Sequence, residues 1–185
     1  MRCFIALHIS DEVRHSIGSV IQRVKTLSKG VKWVAPDNVH LTLKFLGEVS
    51  ETMVPQIRDS LSLLCSGHRP FTLTVRGTGG FPDLRRPNIL WAGIDESEPL
   101  RLLNRDVEQS MTALGFEREK KRFSPHFTIG RVRSWDSLDA VIKEWVTLKD
   151  TVFGTITVGE TLLMKSTLKP AGPEYSKIAG FELTL

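Results

Sequence analysis

The chain has 185 residues, 41% of them apolar and 25% charged, with a formal net charge of +4, which suits one large domain or two small lobes around a shared core. No apolar run approaches the roughly 18 residues that cross a bilayer, and the run after Met1 breaks at His8, too early for the apolar core of a secretion signal. The two cysteines, Cys3 and Cys65, are too few for a disulfide framework and have no metal-type neighbours, so both are expected to be reduced and buried in a cytoplasmic protein.

Residues 2–9, RCFIALHI, read as a strand. Ser10 is placed to cap a helix over 11–29, with Gly30 as its stop. VKWVAPDN then leads into a strand over 39–46, VHLTLKFL. Ser50 is placed to cap a second helix over 51–66, where Pro55 is tolerable only near the start, and Gly67 ends it. FTLTVRG, 71–77, alternates as a strand does. The order then repeats. NILWAGI, 88–94, is a strand. Ser97 opens a helix over 98–114, stopped by Gly115. FEREKKRFSP leads into the strand HFTIGRV, 126–132. Ser134 caps a helix over 135–148, and 154–166 reads as one strand. The tail adds a strand over 174–184. A shift of about 86 positions lays strand on strand and helix on helix, as 126 − 40 = 86 shows for the histidines below. The chain is therefore expected to be a single domain, 1–185, with an internal repeat of about 1–80 and 87–166. Its expected class is α+β and bilobal: two similar β-α-β-α-β lobes, mostly antiparallel sheets lining a central groove, and helices outside.

The repeat carries a phrase of chemistry. Of five histidines, two begin a His-x-Thr-x tetrapeptide: His40 in HLTL and His126 in HFTI. Side chains alternate along a strand, so His40 and Thr42 share one face and His126 and Thr128 share another. Leu41, Leu43, Phe127 and Ile129 take the opposite faces and anchor the strands. A lone buried histidine is commonly a satisfied core residue, but a repeated imidazole–hydroxyl pair needs partners that packing does not supply. A protein zinc site wants three or four ligands, and no Cys, Asp or Glu stands at ligand spacing. A serine or cysteine nucleophile lacks its motif. Two imidazoles facing each other can act as base and acid near neutral pH, giving a bell-shaped rate profile about neutrality. The hydroxyls of Thr42 and Thr128 can donate to oxygens of an anion held between them. In-line displacement at phosphorus fits: one imidazole activates water, the other protonates the leaving oxygen. No metal or cofactor is required for a strained, activated phosphodiester. Residues alone do not say which histidine plays which part.

At this point KWVAPDNVHLTLKFLGEV, FPDLRRPNILWAGI, RFSPHFTIGRV and LKPAGPEYSKIAGFEL together resemble the 2H phosphoesterases, in their branch of RNA 2′,3′-cyclic phosphodiesterases (2′-5′ RNA ligase-like), over essentially the whole chain. The resemblance implies a bilobal α+β fold with the site between lobes. It implies hydrolysis of an RNA 2′,3′-cyclic phosphate end to a 2′-phosphate. His40 would be the proton donor to the departing 3′ oxygen, His126 the proton acceptor that activates water, and Thr42 and Thr128 the phosphate-binding pair.

Three further residues are candidates for substrate binding. Arg131 follows the second motif as a basic residue does in the family, yet strand parity turns it away unless Gly130 forms a bulge. Phe45, its counterpart in the first repeat, can stack on a base, or simply fill the core. Lys44 shares the His40 face by parity and can see phosphate, against the plainer reading of a surface lysine. Trp33 and Trp91 read as core. His8, His15 and His68 have no repeat partner. The basic runs at Arg85–Arg86 and 117–122 favour an RNA end as partner over a neutral molecule. The chain is expected to act as a monomer without a membrane. Two other readings stay open: a 2H enzyme acting on a small cyclic nucleotide or joining 2′-5′ ends, and an RNA-end binding module without turnover, which the presence of both histidines and both threonines disfavours.

Overall fold

A computed structural model describes residues 1–170 and 172–185. Among these are nine strands and four α-helices. In chain order they are β1 (Arg2–Leu7), α1 (Asp11–Val24), β2 (Val31–Trp33), β3 (Leu41–Glu48), α2 (Val54–Ser66), β4 (Phe71–Phe81), β5 (Ile89–Ile94), α3 (Glu98–Ala113), β6 (His126–Val132), α4 (Asp139–Thr147), β7 (Val152–Val158), β8 (Glu160–Lys169) and β9 (Gly172–Glu182).

Ser10 and Ser97 cap their helices, but Ser50 does not cap α2: its hydroxyl pairs with that of Thr52 at 2.9 Å, and the helix starts at Val54. Ser10 Oγ accepts from the Val13 amide at 3.3 Å and Ser97 Oγ from the Leu100 amide at 3.3 Å; each such cap stabilises by about 1 kcal/mol. Val13, Ile17, Ile21 and Val24 form the buried stripe of α1, and Leu100, Leu103, Val107 and Met111 that of α3, each at helical spacing. Other boundaries move. α1 ends at Val24, five residues before Lys29, because its apolar stripe ends there. Ser134 does not cap α4: its hydroxyl donates to Asp136 at 2.9 Å in a local turn, and the helix starts at Asp139.

The strands form one antiparallel sheet in the order β7-β4-β5-β6-β3-β1-β8-β9, with β2 beside β6. Under the repeat, β1 corresponds to β5, β3 to β6 and β4 to β8, so the order reads the same from both ends about the β6–β3 seam. The α+β class and the antiparallel sheet are as expected. The halves, however, are not built from contiguous repeats. β4, from the first repeat, pairs with β5 and β7 of the second; β8, from the second, pairs with β1 of the first. α1 packs on β7, and α3 packs on β3 and α2. The segment expected as one strand over 154–166 is two, β7 and β8, parted at Gly159 so that each serves a different half. Alternation within strands cannot show this, because it fixes faces and not neighbours.

Beneath the sheet lies a single apolar core that includes Leu41, Phe127, Leu90, Ile5, Trp145 and Leu103. Cys3 and Cys65 are free and buried, and burial pushes both thiols above their ordinary range, which keeps them in the unreactive thiol form. No helix among the described residues is long and apolar enough to cross a membrane.

Candidate active site

The two repeats meet at one residue pair. Leu41 of β3 faces Phe127 of β6, and 41 + 86 = 127 is the shift that relates the repeats. An approximate two-fold axis therefore runs through this pair. Both side chains point into the core, at 1% and 0% exposure. Their flanking residues must point the other way. An antiparallel ladder continued from this pair would set His40 across from Thr128, and Thr42 across from His126, on one face of the sheet. All four are half-buried. His40 and His126 stand on the diagonal of this square, where backbone separations are about 7–8 Å, a span that a phosphate between two imidazole rings fills.

Both rings are held the same way. His40 Nδ1 lies 2.8 Å from the Asn38 carbonyl, and His126 Nδ1 lies 2.7 Å from the Ser124 carbonyl. A carbonyl only accepts, so each Nδ1 carries the hydrogen and each Nε2 is left for the groove. Neutral, Nε2 is a base; protonated, it is an acid. Burial lowers the pKa of both histidines, the carbonyl bonds raise it, and the Arg131 charge lowers it again; His8 adds a further lowering at His40.

Aromatic side chains wall each imidazole. Phe4 lies 4.8 Å from the His40 ring, centroid to centroid, and Tyr175 meets it edge-on at 5.0 Å. Phe81 meets His126 edge-on at 4.8 Å and packs on Trp91 at 5.5 Å. Cys3, Ile5 and Leu7 of β1 enter the core cluster, so Phe4 between them belongs to the opposite, groove face. Trp91 is likewise outside that cluster, between Leu90 and Ala92 which are in it; it lines the groove and not the core. Trp33 is a core residue, 6.1 Å from Trp145. Neither motif nor spacing marks Phe4, Phe81, Trp91 or Tyr175 as site residues. A signal is present for Tyr175: it is the only tyrosine in the chain, in a Gly-Pro-rich tail.

A duplicated bulge sets the direction of the side chains beyond each motif. The β1–β3 ladder steps from Ala6–Thr42 to Ile5–Lys44, skipping Leu43. The β5–β6 ladder steps from Trp91–Thr128 to Leu90–Gly130, skipping Ile129. Again 43 + 86 = 129. An inserted residue reverses the parity beyond it. Arg131 accordingly lies within electrostatic reach of His40, His126 and Tyr175. Phe45, its counterpart, is 71% exposed, with its ring 6.2 Å from Phe4.

Lys44 is the correction. Parity without the bulge puts it beside His40; with the bulge it turns to the helix side. It is 5% exposed, its Nζ 2.7 Å from Glu108 Oε1 and 2.9 Å from the Glu117 carbonyl. It cannot reach a phosphate in the groove.

Of the remaining histidines, His8 contributes to the field at His40, while His15 bonds the Asp11 carbonyl and His68 bonds Asp106. Arg85 is 93% exposed at its side chain, and the Arg86 guanidinium lies over the Trp135 ring at 4.2 Å. No group of three or more His, Cys, Asp or Glu among the described residues could hold a metal ion.

Comparison with known proteins places this geometry. The profile of the 2′-5′ RNA ligase superfamily matches residues 11–168. A protein of Methanothermobacter thermautotrophicus named RNA 2′,3′-cyclic phosphodiesterase is 33% identical over 186 residues, covering 99% of each chain. One of the same name from Archaeoglobus fulgidus is 34% identical over 183 residues, covering 98% of this chain and all of its own. A crystal structure from Thermus thermophilus superposes with a TM-score of 0.84 at 29% identity, covering 100% of this chain and 98% of that one.

Proposed function

This chain belongs to the 2′-5′ RNA ligase superfamily, and on that footing we propose that it hydrolyses RNA 2′,3′-cyclic phosphate ends to 2′-phosphates by metal-independent catalysis between two histidines. The observation that carries the reading is the square of His40, Thr42, His126 and Thr128 around the Leu41–Phe127 pair. The relatives' shared name supplies the substrate.

The cyclic phosphate sits between the imidazoles. His126 Nε2 takes a proton from water as the water oxygen bonds to phosphorus. The bond from phosphorus to O3′ breaks, and His40 Nε2–H gives its proton to O3′. The products are a 3′-hydroxyl and a 2′-phosphomonoester. Each proton transfer contributes about 10²–10⁴-fold. The threonine hydroxyls donate to the non-bridging oxygens as charge builds on them, and Arg131 adds a positive charge on the same face. Phe45, exposed at the groove edge, offers a stacking surface for the terminal base. The two imidazoles are wired alike, so the order of roles rests on family likeness. Both half-sites lie in one chain, which suits a monomer, and two reduced buried thiols suit the cytoplasm.

The test is incubation of the protein, in excess EDTA, with an oligonucleotide ending in a 2′,3′-cyclic phosphate. The expected product gains one water and carries a 2′-phosphate that phosphatase removes. A 3′-phosphate product, or turnover that needs added metal, overturns the mechanism.

A further inference from the structure

We propose that the segment 117–122, pinned by the buried Lys44–Glu108 pair, is the track for RNA backbone phosphates upstream of the reacting end. The inference rests on the reading of the groove as an RNA-end site and extends it to the rest of the chain that enters.

The segment joins α3 to β6. Phe116 and Phe123 at its two ends pack against the core. The six residues between, Glu117, Arg118, Glu119, Lys120, Lys121 and Arg122, are all exposed and form no helix or strand. Six exposed residues with anchored ends ordinarily leave a loop free to wander. Here the backbone is tied down from below. Glu108 Oε1 accepts from Lys44 Nζ at 2.7 Å and from the Glu119 amide at 2.7 Å, while Lys44 Nζ donates to the Glu117 carbonyl at 2.9 Å. The ammonium side chain is 3% exposed and its carboxylate partner 16%.

A buried ion pair is weak support for stability, since an apolar pair of similar volume commonly does as well. What this pair provides is position. It fixes the backbone at 117 and 119 against β3, the strand that carries Thr42.

The pinned backbone also sorts its charges. Glu119 is turned inward on the segment, accepting from the Lys121 amide at 3.1 Å, and Glu117 lies 3.5 Å from Lys120. Lys120 is the one cation of the four in a described ion pair. Arg118, Lys121 and Arg122 are left facing solvent. Arg122 is four residues from His126, at most about 14 Å of extended chain. A polyanion whose last phosphate lies between the histidines has Arg122 within reach of the phosphates that precede it.

The experiment measures binding directly, so it is independent of turnover. The probe is a 5′-fluorescein single-stranded RNA oligonucleotide ending in a 3′-phosphate, followed by anisotropy across a salt series. Each phosphate contact adds about 0.7 to the slope of log affinity against log salt. The variant carrying Arg118→Ala, Lys121→Ala and Arg122→Ala should therefore lose about 2 from that slope. A second variant, Lys44→Met with Glu108→Met, removes the pin as a pair and keeps every cation of the segment. It should also lower affinity and slope, because the cations are no longer held in register, while its circular dichroism spectrum stays native. An unchanged slope in the triple variant overturns the proposal. So does native affinity in the folded double variant, which would make the pin irrelevant to RNA. Loss of cyclic phosphodiesterase activity in the parent protein with these binding results intact would count against the catalytic reading alone.

Discussion

The His40 half and the His126 half of the groove are alike in some places and different in others. The strand, the histidine, the threonine, the carbonyl two residues upstream and the bulge three residues downstream are the same in both. The differences begin immediately beyond the bulge. Position 44 is a lysine buried against Glu108; position 130 is a glycine covered by Trp33 and Val31. Position 45 is an exposed phenylalanine; position 131 is an arginine in the field of both imidazoles. His40 is enclosed by Phe4 and Tyr175, while His126 follows the basic segment 117–122 and is walled by Phe81, which leads to Arg85 and Arg86. Proton transfer at phosphorus needs two equivalent groups. A nucleotide with a sugar and base on one side and a chain on the other does not. The shared residues serve the first requirement, and the divergent ones the second.

The strongest way to break the comparison is to remove one histidine. His40→Ala and His126→Ala should each cost at least about 10²-fold in rate on a cyclic-phosphate end, and the double variant should lose less than the product, since both act in one proton-transfer unit. Near-full activity in either single variant would mean the halves are not equal partners.

The position after the bulge should differ in stability. Lys44→Met leaves the Glu108 charge buried without its partner and should cost about 3–5 kcal/mol in denaturant unfolding. Gly130→Ala puts a methyl 2.7 Å from Val31 Cγ1 and 3.0 Å from Trp33 Cε3, and should cost about 1–3 kcal/mol by overpacking. A Lys44→Met protein as stable as the parent would show that the pair holds nothing.

Thr42→Ala and Thr128→Ala should each lose one hydrogen bond to a charged phosphate, about 1.5–3 kcal/mol of transition-state stabilisation, read as log kcat/KM. Similar losses in the two variants support the square; a large loss in one and none in the other places the phosphate off its axis.

The smallest effect is on pH. Burial, aided by Arg131, lowers both histidine pKa values in the free protein. Both limbs of the kcat/KM profile then move toward acid, so its maximum should fall on the acid side of the ordinary imidazole value and not at neutrality. A bound phosphate favours the charged rings, so the kcat maximum should lie at higher pH. Arg131→Gln removes a charge that lowers both values, so both limbs of kcat/KM should shift upward. A profile unmoved by Arg131→Gln would separate that side chain from the site.

The four central groups and their shared face were legible because alternation along a strand needs only the spacing of residues. Helices announced themselves through Ser10, Ser97 and the apolar stripes that follow them. The bulges were not legible as such: nothing in LTLKF says that Leu43 is skipped by its neighbour, and a single skipped residue sends Lys44 inward and Phe45 outward. Gly130 gave a hint in the second copy, where a missing side chain lets Trp33 close over the strand, but Lys44 hides the same event in the first. The aromatic walls come from strands remote in sequence, β1, β4 and β9, whose adjacency is decided by pairing. For the same reason the division of 154–166 between two strands is hidden, since Gly159 interrupts an alternation that continues on both sides.

The exchange of strands between repeats gives the molecule the character of a heterodimer written on one chain. Cut at Arg85, whose side chain is 93% exposed in the only link between the copies, it would yield fragments of which neither has its own complement of neighbours. β4 of the first would remain clasped between β5 and β7 of the second, and β1 would remain bound to β8. The fragments are knitted by backbone hydrogen bonds along five seams, β1–β8, β2–β6, β3–β6, β4–β5 and β4–β7, so a nicked protein should migrate as one particle and melt as one. Loss of either fragment takes half of both active-site walls with it, which ties the integrity of each histidine to a stretch of chain that the other copy encodes.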